Sequence, residues 1–327
     1  MSGVAAAVPL LWVLCLAIPS EGETLRFRRI FEGPNRWLCG LVQVNSGTLC
    51  AVDSNYNEVV CFDKRGSNVV RFGGAGQGPG RMQYPASIAL AGHDTMLVLD
   101  MDNFRVQLFR PDGSYISEFR FGFVSDAMAV IDKNTVVLNG PSEGAIAIKY
   151  SLDGRRLGRL GELVPSTLGY PDRPLKGPVA AMNRAYFAST KDRGLVVAFQ
   201  FMPLVQVLNA DGTLRWRRRL TGPSVEELTR VFWRDPGAPR AKSSKRIDGV
   251  QFARVITCVN VTPSQHILVG MANRTIVVLN KKGEQVGLLD CRRAVTLEPQ
   301  ALFHDGKFLY VAPPGEVLVT EEPLWLK

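Results

Sequence analysis

The chain has 327 residues, of which 46% are hydrophobic and 21% charged, with 31 Gly and 20 Pro. That balance excludes a disordered polyelectrolyte and a multi-span membrane protein, and the length suits one large β domain or two ordinary ones. The formal net charge of +9 admits nucleic acid, acidic glycans or anionic membranes as partners and selects none of them.

In chain order, the first feature is an apolar run from Val4 to Ile18, followed by Pro19, Ser20 and Gly22. Its length is that of a signal-peptide core and falls short of a bilayer span. Residues 1–22 are therefore read as a signal peptide. Residues 23–327 are read as a single domain of a secreted or periplasmic protein, with no transmembrane segment in the mature chain. Removing the leader takes away one acid, Glu21, and no base, so the mature chain is more basic by one charge. Export makes nucleic acid a less natural partner for it. A monomer is expected.

The segment "TLRFRRIF", Thr24 to Phe31, has strand composition, although its alternation slips at Arg28-Arg29. In "LCAVDSNYNEVVCF", placing Asp53 opposite Glu58 across a hairpin also places Cys50 opposite Cys61. In an oxidising compartment that pair reads as a cross-strand disulfide, and two free core thiols fit the spacing equally well. No C-x-x-C pair occurs, so zinc and redox motifs have no support.

"FGGAGQGPGRMQYP", Phe72 to Pro85, has the glycine content of a phosphate cradle but not its spacing. Starting from Gly74 and Gly76, the third glycine of a dinucleotide fingerprint falls on Pro79; starting from Gly76 and Gly78, it falls on Arg81. No Gly-Lys-Ser/Thr ending follows, and the next residues read as strand, turn, strand. The stretch is a connector between two β units.

The unit it introduces, Tyr84 to Gly122, holds four apolar runs: Ser87 to Leu90, Met96 to Asp100, Arg105 to Phe109 and Tyr115 to Phe119. The interval from the end of the second run to a later turn glycine recurs along the chain at nearly constant spacing. The pairs are Asp53 and Gly66, Asp100 and Gly113, Asn139 and Gly154, Gln200 and Gly212, and Gly270 and Gly283. A partial sixth copy follows at "FLYVA". A lone four-stranded unit cannot bury both faces, but a ring of them does. The fold class predicted is all-β, a six-bladed β-propeller of four-stranded blades, with Thr24 to Phe31 closing the ring as the missing outer strand.

The second unit resembles the NHL repeat. "GAGQGPG" with its following Pro85 is similar to the family's G-x-G-x-G-P-G lead-in, and "DMDNFRVQLFRPDG" to its D-x-x-N-x-R-V-Q-x-F-x-x-D-G core. The other units keep the strand rhythm and lose most of these letters. The resemblance implies a six-bladed propeller, here of the bacterial, exported type. It implies no single chemistry, because such propellers serve as binding modules and, in a few relatives, as lyases.

The Gly-rich loop, Glu162 to Pro178 and Gly222 to Asp248 are all blade-to-blade inserts on one face of such a ring. In the last of them, Ser224 and Glu227 form a capping-box pattern that predicts a short helix to about Trp233. Beyond it, Arg240, Lys242, Lys245 and Arg246 read either as a basic rim for an acidic ligand or as a solvated loop. "RWRRR", Arg215 to Arg219, falls on an outer strand, where cationic side chains guard a sheet edge.

Near the starts of the inner strands stand Arg36, Tyr84, Ser87, Asp126, Gln251 and Gln300, the candidate ligand-binding residues of a channel mouth. The three histidines, His93, His266 and His304, fall on separate blades, and no metal-ligand set, catalytic set or cofactor motif is visible. The reading is a binding module for a protein, peptide or acidic glycan on the insert-bearing face. The alternative is a metal-dependent hydrolase or lyase with its site in the channel.

Overall fold

A computed structural model describes residues 23–44, 47–67, 69–92, 95–171, 179–231, 245–247, 250–324 and 326. The chain forms six blades of four antiparallel strands in a ring. Blade 1 runs through Leu38–Gln43, Leu49–Asp53, Glu58–Phe62 and Val70–Gly73. Blade 2 runs through Pro85–Ala91, Thr95–Asp100, Arg105–Phe109 and Tyr115–Arg120. Blade 3 comprises Met128–Asp132, Thr135–Asn139, Ala147–Ser151 and Arg156–Leu160. Blade 4 comprises Ala185–Ser189, Leu195–Phe199, Leu204–Leu208 and Leu214–Arg219. Blade 5 is Ile256–Val261, Ile267–Met271, Thr275–Leu279 and Gln285–Asp290. Blade 6 takes Ala301–His304, Leu309–Ala312 and Glu316–Thr320 from the end of the chain, and its outer strand, Phe27–Glu32, from the beginning.

The first strand of each blade touches the first strands of its two neighbours, in unbroken order round the ring, so these six strands line the axis. The middle strands are buried on both faces because a blade lies on either side. Leu195–Phe199, Leu204–Leu208, Ile267–Met271 and Thr275–Leu279 are buried at every residue, which is why these runs are apolar almost throughout rather than alternating, Gln206 and Thr275 being the polar residues among them. Among the described residues the core divides into six clusters, one between each adjacent pair of blades.

The recurring turn glycine has a packing cause. It sits in the third-to-fourth turn of its blade, beneath the outer strand of the preceding one. A Cβ on Gly66 would lie 1.4 Å from the carbonyl oxygen of Ile30, and one on Gly283 would lie 2.7 Å from the Trp216 ring. Gly113 meets Phe72 and Gly154 meets Phe119 in the same way, and Gly212 has the backbone nitrogen of Gly161, at the end of the preceding outer strand, at 3.1 Å. All five have positive φ.

The closing segment differs in detail from the predicted Thr24 to Phe31. Glu23–Thr24 pairs in parallel with Leu289 and Asp290 at the edge of blade 5, and only Phe27–Glu32 joins blade 6. The slip in alternation marks a bulge between Arg29 and Phe31, which lets the adjacent Ile30 and Phe31 both turn inward. Phe31 then stacks on Phe62 of blade 1 at 4.7 Å.

The insert helix spans Pro223–Val231. Ser224 therefore lies inside its first turn rather than at the cap, because Pro223 already has the fixed φ of a first helical residue. Trp233 lies outside the described residues. Lys245–Ile247 and Val250–Phe252 form a separate two-stranded hairpin, so the segment expected as a loop is partly paired. Among the described residues no helix is long and apolar enough to cross a membrane.

Candidate binding site at the channel mouth

The six inner strands enclose a channel of about 520 Å³. Each strand begins at the face that carries the inserts, so the residues just ahead of the strands come together at one mouth. Trp37, Tyr84, Asp126, Arg184, Arg254 and Gln300, one from each blade in turn, line it there. Ser87 and Tyr186, on the inner strands themselves, line the channel too.

Tyr84 is held in a left-handed conformation, φ 51°, and 45% of it is exposed. A non-glycine residue pays about 1–2 kcal/mol for that conformation. Its backbone N–H donates to Asn57 Oδ1 at 2.7 Å, which fixes the crossing from blade 1 to blade 2 and turns the ring toward the mouth. Asp126 is held through one of its two oxygens. Arg184 reaches its Oδ2 through Nη2 and, at 3.0 Å, through Nε, and Gln200 donates to the same oxygen at 2.8 Å. These contacts tie the mouth of blade 3 to that of blade 4.

Arg254 is different. Its Nη1 donates to Gln300 Oε1 at 3.3 Å, while its Nε is buried with no hydrogen-bond partner. No carboxylate lies within salt-bridge distance of it among the described residues. Asp126, Arg184 and Arg254 are the formally charged residues of the lining. The first two pair with each other, and Arg254 feels Glu298 and Asp126 only at longer range, so it is the cation of the mouth without a direct carboxylate partner.

Two thiols also line the channel. Burial pushes the Cys39 thiol up to about 11, although Ser54 and Arg254 pull it the other way, and burial pushes Cys258 up to about 12. Burial likewise raises the Tyr186 phenol well above its ordinary value. These groups are neutral near pH 7 and are not activated nucleophiles. Among the described residues no group of three or more His, Cys, Asp or Glu is placed to hold a metal ion.

The structure brings Tyr84, Ser87, Asp126 and Gln300 together as the sequence suggests, and it places the other candidates elsewhere. Arg36 does not line the channel: its Nη1 is held by Asp53 at 2.7 Å and Glu58 at 2.8 Å, and its guanidinium lies over the Tyr56 ring at 4.6 Å. Two carboxylates of its own blade outcompete the channel for it. Gln251 belongs to the two-stranded hairpin, opposite Arg246, because the inner strand of blade 5 starts only at Ile256. Lys245 lies in that hairpin as well. Arg240, Lys242 and His93 lie outside the described residues.

Arg184, Tyr186 and Arg254 are the functional candidates that the sequence reading passed over. Aligning "NRAYF" and "ARVITC" with "QYPASI" at the inner-strand start would have exposed them, since position rather than any motif letter defines the mouth.

Around the mouth the same face carries exposed apolar side chains. Tyr56 and Phe104 stand in second-to-third turns, and Tyr84, Val124 and Leu297 stand in blade crossings. All five are exposed.

Cys50 and Cys61 face each other across the second and third strands of blade 1 and are joined in a disulfide. Cys39, Cys258 and Cys291 are free.

No family model matches the chain, and no curated protein matches it. Solved structures do. Virginiamycin B lyase from Staphylococcus aureus superposes with a TM-score of 0.56 at 8% identity, covering 91% of this chain and 98% of the other. A catalytically inactive variant of that lyase with quinupristin superposes with a TM-score of 0.57 at 9% identity, covering 91% and 99%. At such identities the likeness is one of fold: this chain is built as those propellers are.

Proposed function

We propose that the protein is an exported propeller of NHL-like kind that acts as a binding module, taking a protein, peptide or glycan on its insert-bearing face over the channel mouth. The observation that carries this is the chemistry of that face. Exposed aromatic and aliphatic side chains surround a mouth where the carboxylate of Asp126 is already bound by Arg184 and Gln200. Tyr, Trp and Arg are the residues from which binding hot spots are built. A hard divalent cation needs several free oxygen ligands, and this mouth offers arginines and aromatic rings instead. The Cys50–Cys61 disulfide supports an oxidising compartment, and so export.

The test compares two kinds of variant for capture of ligand from the native extracellular fraction. Phe104→Ser and Leu297→Ser alter the face; Val70→Ser and Leu214→Ser alter outer strands that are equally exposed. The face variants are expected to lose capture and the outer-strand variants to keep it. Equal capture by all four would remove the face from the account.

A further inference from the structure

We propose that the channel mouth is a carboxylate socket centred on Arg254, and that the carboxylate it receives belongs to a polypeptide. This rests on the binding-module reading above and specifies its ligand.

Arginine carries five N–H donors in a rigid fork, and a buried one normally finds acceptors for them. The contrast inside this molecule is sharp. The guanidinium of Arg105 meets two carboxylates and three backbone carbonyls, and that of Arg36 meets two carboxylates. Arg254 has one amide oxygen at 3.3 Å and an unpartnered buried Nε. A cationic donor left without an acceptor is costly, and an oxyanion entering the channel removes that cost by turning the guanidinium into a bidentate pair. Asp126 is turned to Arg184 and Gln200, and both it and Glu298, whose charges reach Arg254, stay beyond salt-bridge distance of it. The acceptor is therefore supplied from outside.

The surroundings choose among oxyanions. Tyr84 and Trp37 at the mouth, with Phe104, Val124 and Leu297 beyond it, give the incoming group apolar neighbours on several sides. Aromatic rings alone would suit the faces of sugars. Valine and leucine do not stack on sugars, and they do pack against apolar side chains. A channel of about 520 Å³ accepts one or two residues and not a folded element. The ligand that matches is a terminal or side-chain carboxylate flanked by apolar residues.

The experiment titrates the full mature chain with three probes: N-acetylphenylalanine, its neutral amide, and methyl glucuronide. Binding is followed through the arginine side-chain N–H signals of 15N-labelled protein. N-acetylphenylalanine is expected to bind at least about tenfold more tightly than its amide, and to shift one buried arginine signal that disappears in Arg254→Gln. Arg218→Gln, on an exposed outer strand, should leave binding unchanged. The acid-against-amide comparison uses the unaltered protein, so it stands even where Arg254→Gln does not fold. Equal binding of acid and amide, or no binding of either at millimolar concentration, would overturn the socket. Preference for the glucuronide would overturn the polypeptide assignment. Equal binding of acid and amide that Phe104→Ser weakens together would overturn the socket and leave the binding face standing, so the two readings fail separately.

Discussion

Arg105 and Asp100 meet 2.8 Å apart at the centre of blade 2, both almost wholly buried, and the Gly-rich loop is wound around their pair. Arg105 also donates to the carbonyls of Gln77, Gly78 and Arg81 and to Glu118. Asp100 accepts the N–H of Gln83, Asn103 donates to Gly76, and Gln107 both accepts from Gly80 and donates to Arg81. Four of the five polar letters of the repeat core, Asp100, Asn103, Arg105 and Gln107, thus serve one purpose. They satisfy the backbone of the connector, whose turns leave it without sheet partners.

Arg105→Lys should therefore cost about 3–5 kcal/mol, because a single ammonium cannot replace five forked donors in a buried site. Urea unfolding would measure this, and limited proteolysis should find new cleavage between Gly74 and Gln83. A variant that unfolds like the parent and resists protease would remove the clamp from the account.

The closing strand makes its own test. At Gly66 a methyl group would lie 1.4 Å from the backbone carbonyl oxygen of Ile30, whereas at Gly113 it would meet the Phe72 side chain at 2.7 Å, a much smaller overlap. Both positions have φ near +80 to +90°. Each Gly→Ala change carries the left-handed penalty of about 1–2 kcal/mol. Gly66→Ala should add an overpacking cost of about 1–3 kcal/mol. Gly66→Ala melting higher than Gly113→Ala would contradict the closure seen between Phe27–Glu32 and blade 1.

The disulfide closes a loop with a sequence separation of 11. Replacing both Cys50 and Cys61 by Ala should lower stability by about 2–3 kcal/mol on chain-entropy grounds. Alkylation without reductant should leave this pair unmodified. Full modification of both in native protein from the producing cell would contradict the bond.

His304 sets a pH dependence. Its Nδ1 accepts the Gly306 N–H at 3.1 Å, so its Nε2 carries the proton and donates to the Leu324 carbonyl at 2.9 Å. Burial holds its pKa below the ordinary 6.5. The unfolded chain then takes up a proton that the folded chain refuses, so stability is complete above about pH 7 and falls as pH drops below 6.5. His304→Gln keeps a donor toward Leu324 and removes the titration. Its urea midpoint should change less between pH 7.5 and 5.0 than that of the parent.

The ring was legible in the sequence because one packing requirement repeats. The glycine under the preceding outer strand recurs even where the motif letters of blade 2 are lost. The closing strand was legible in composition but not in register, since the bulge at Ile30 and the parallel pairing of Glu23–Thr24 depend on blades 5 and 6 being already in place. The site was legible only in part. Tyr84, Asp126 and Gln300 follow from counting to the start of an inner strand. Gln251 stands at an apparent strand start because the small hairpin imitates one, while the true inner strand begins after Arg254. Arg36 has the right position, and Asp53 and Glu58 divert it. Whether an arginine is spent on its own blade is decided by carboxylates distant in sequence.

The binding-face claim is tested most directly by photo-crosslinking in the producing cell. A photoreactive side chain in place of Tyr84 reports on the mouth, and one in place of Leu214 reports on an outer strand of equal exposure. The account predicts a discrete adduct from position 84, unchanged by a chelator and absent from position 214. Adducts from position 214 alone, or an adduct at position 84 that a chelator abolishes, would contradict it.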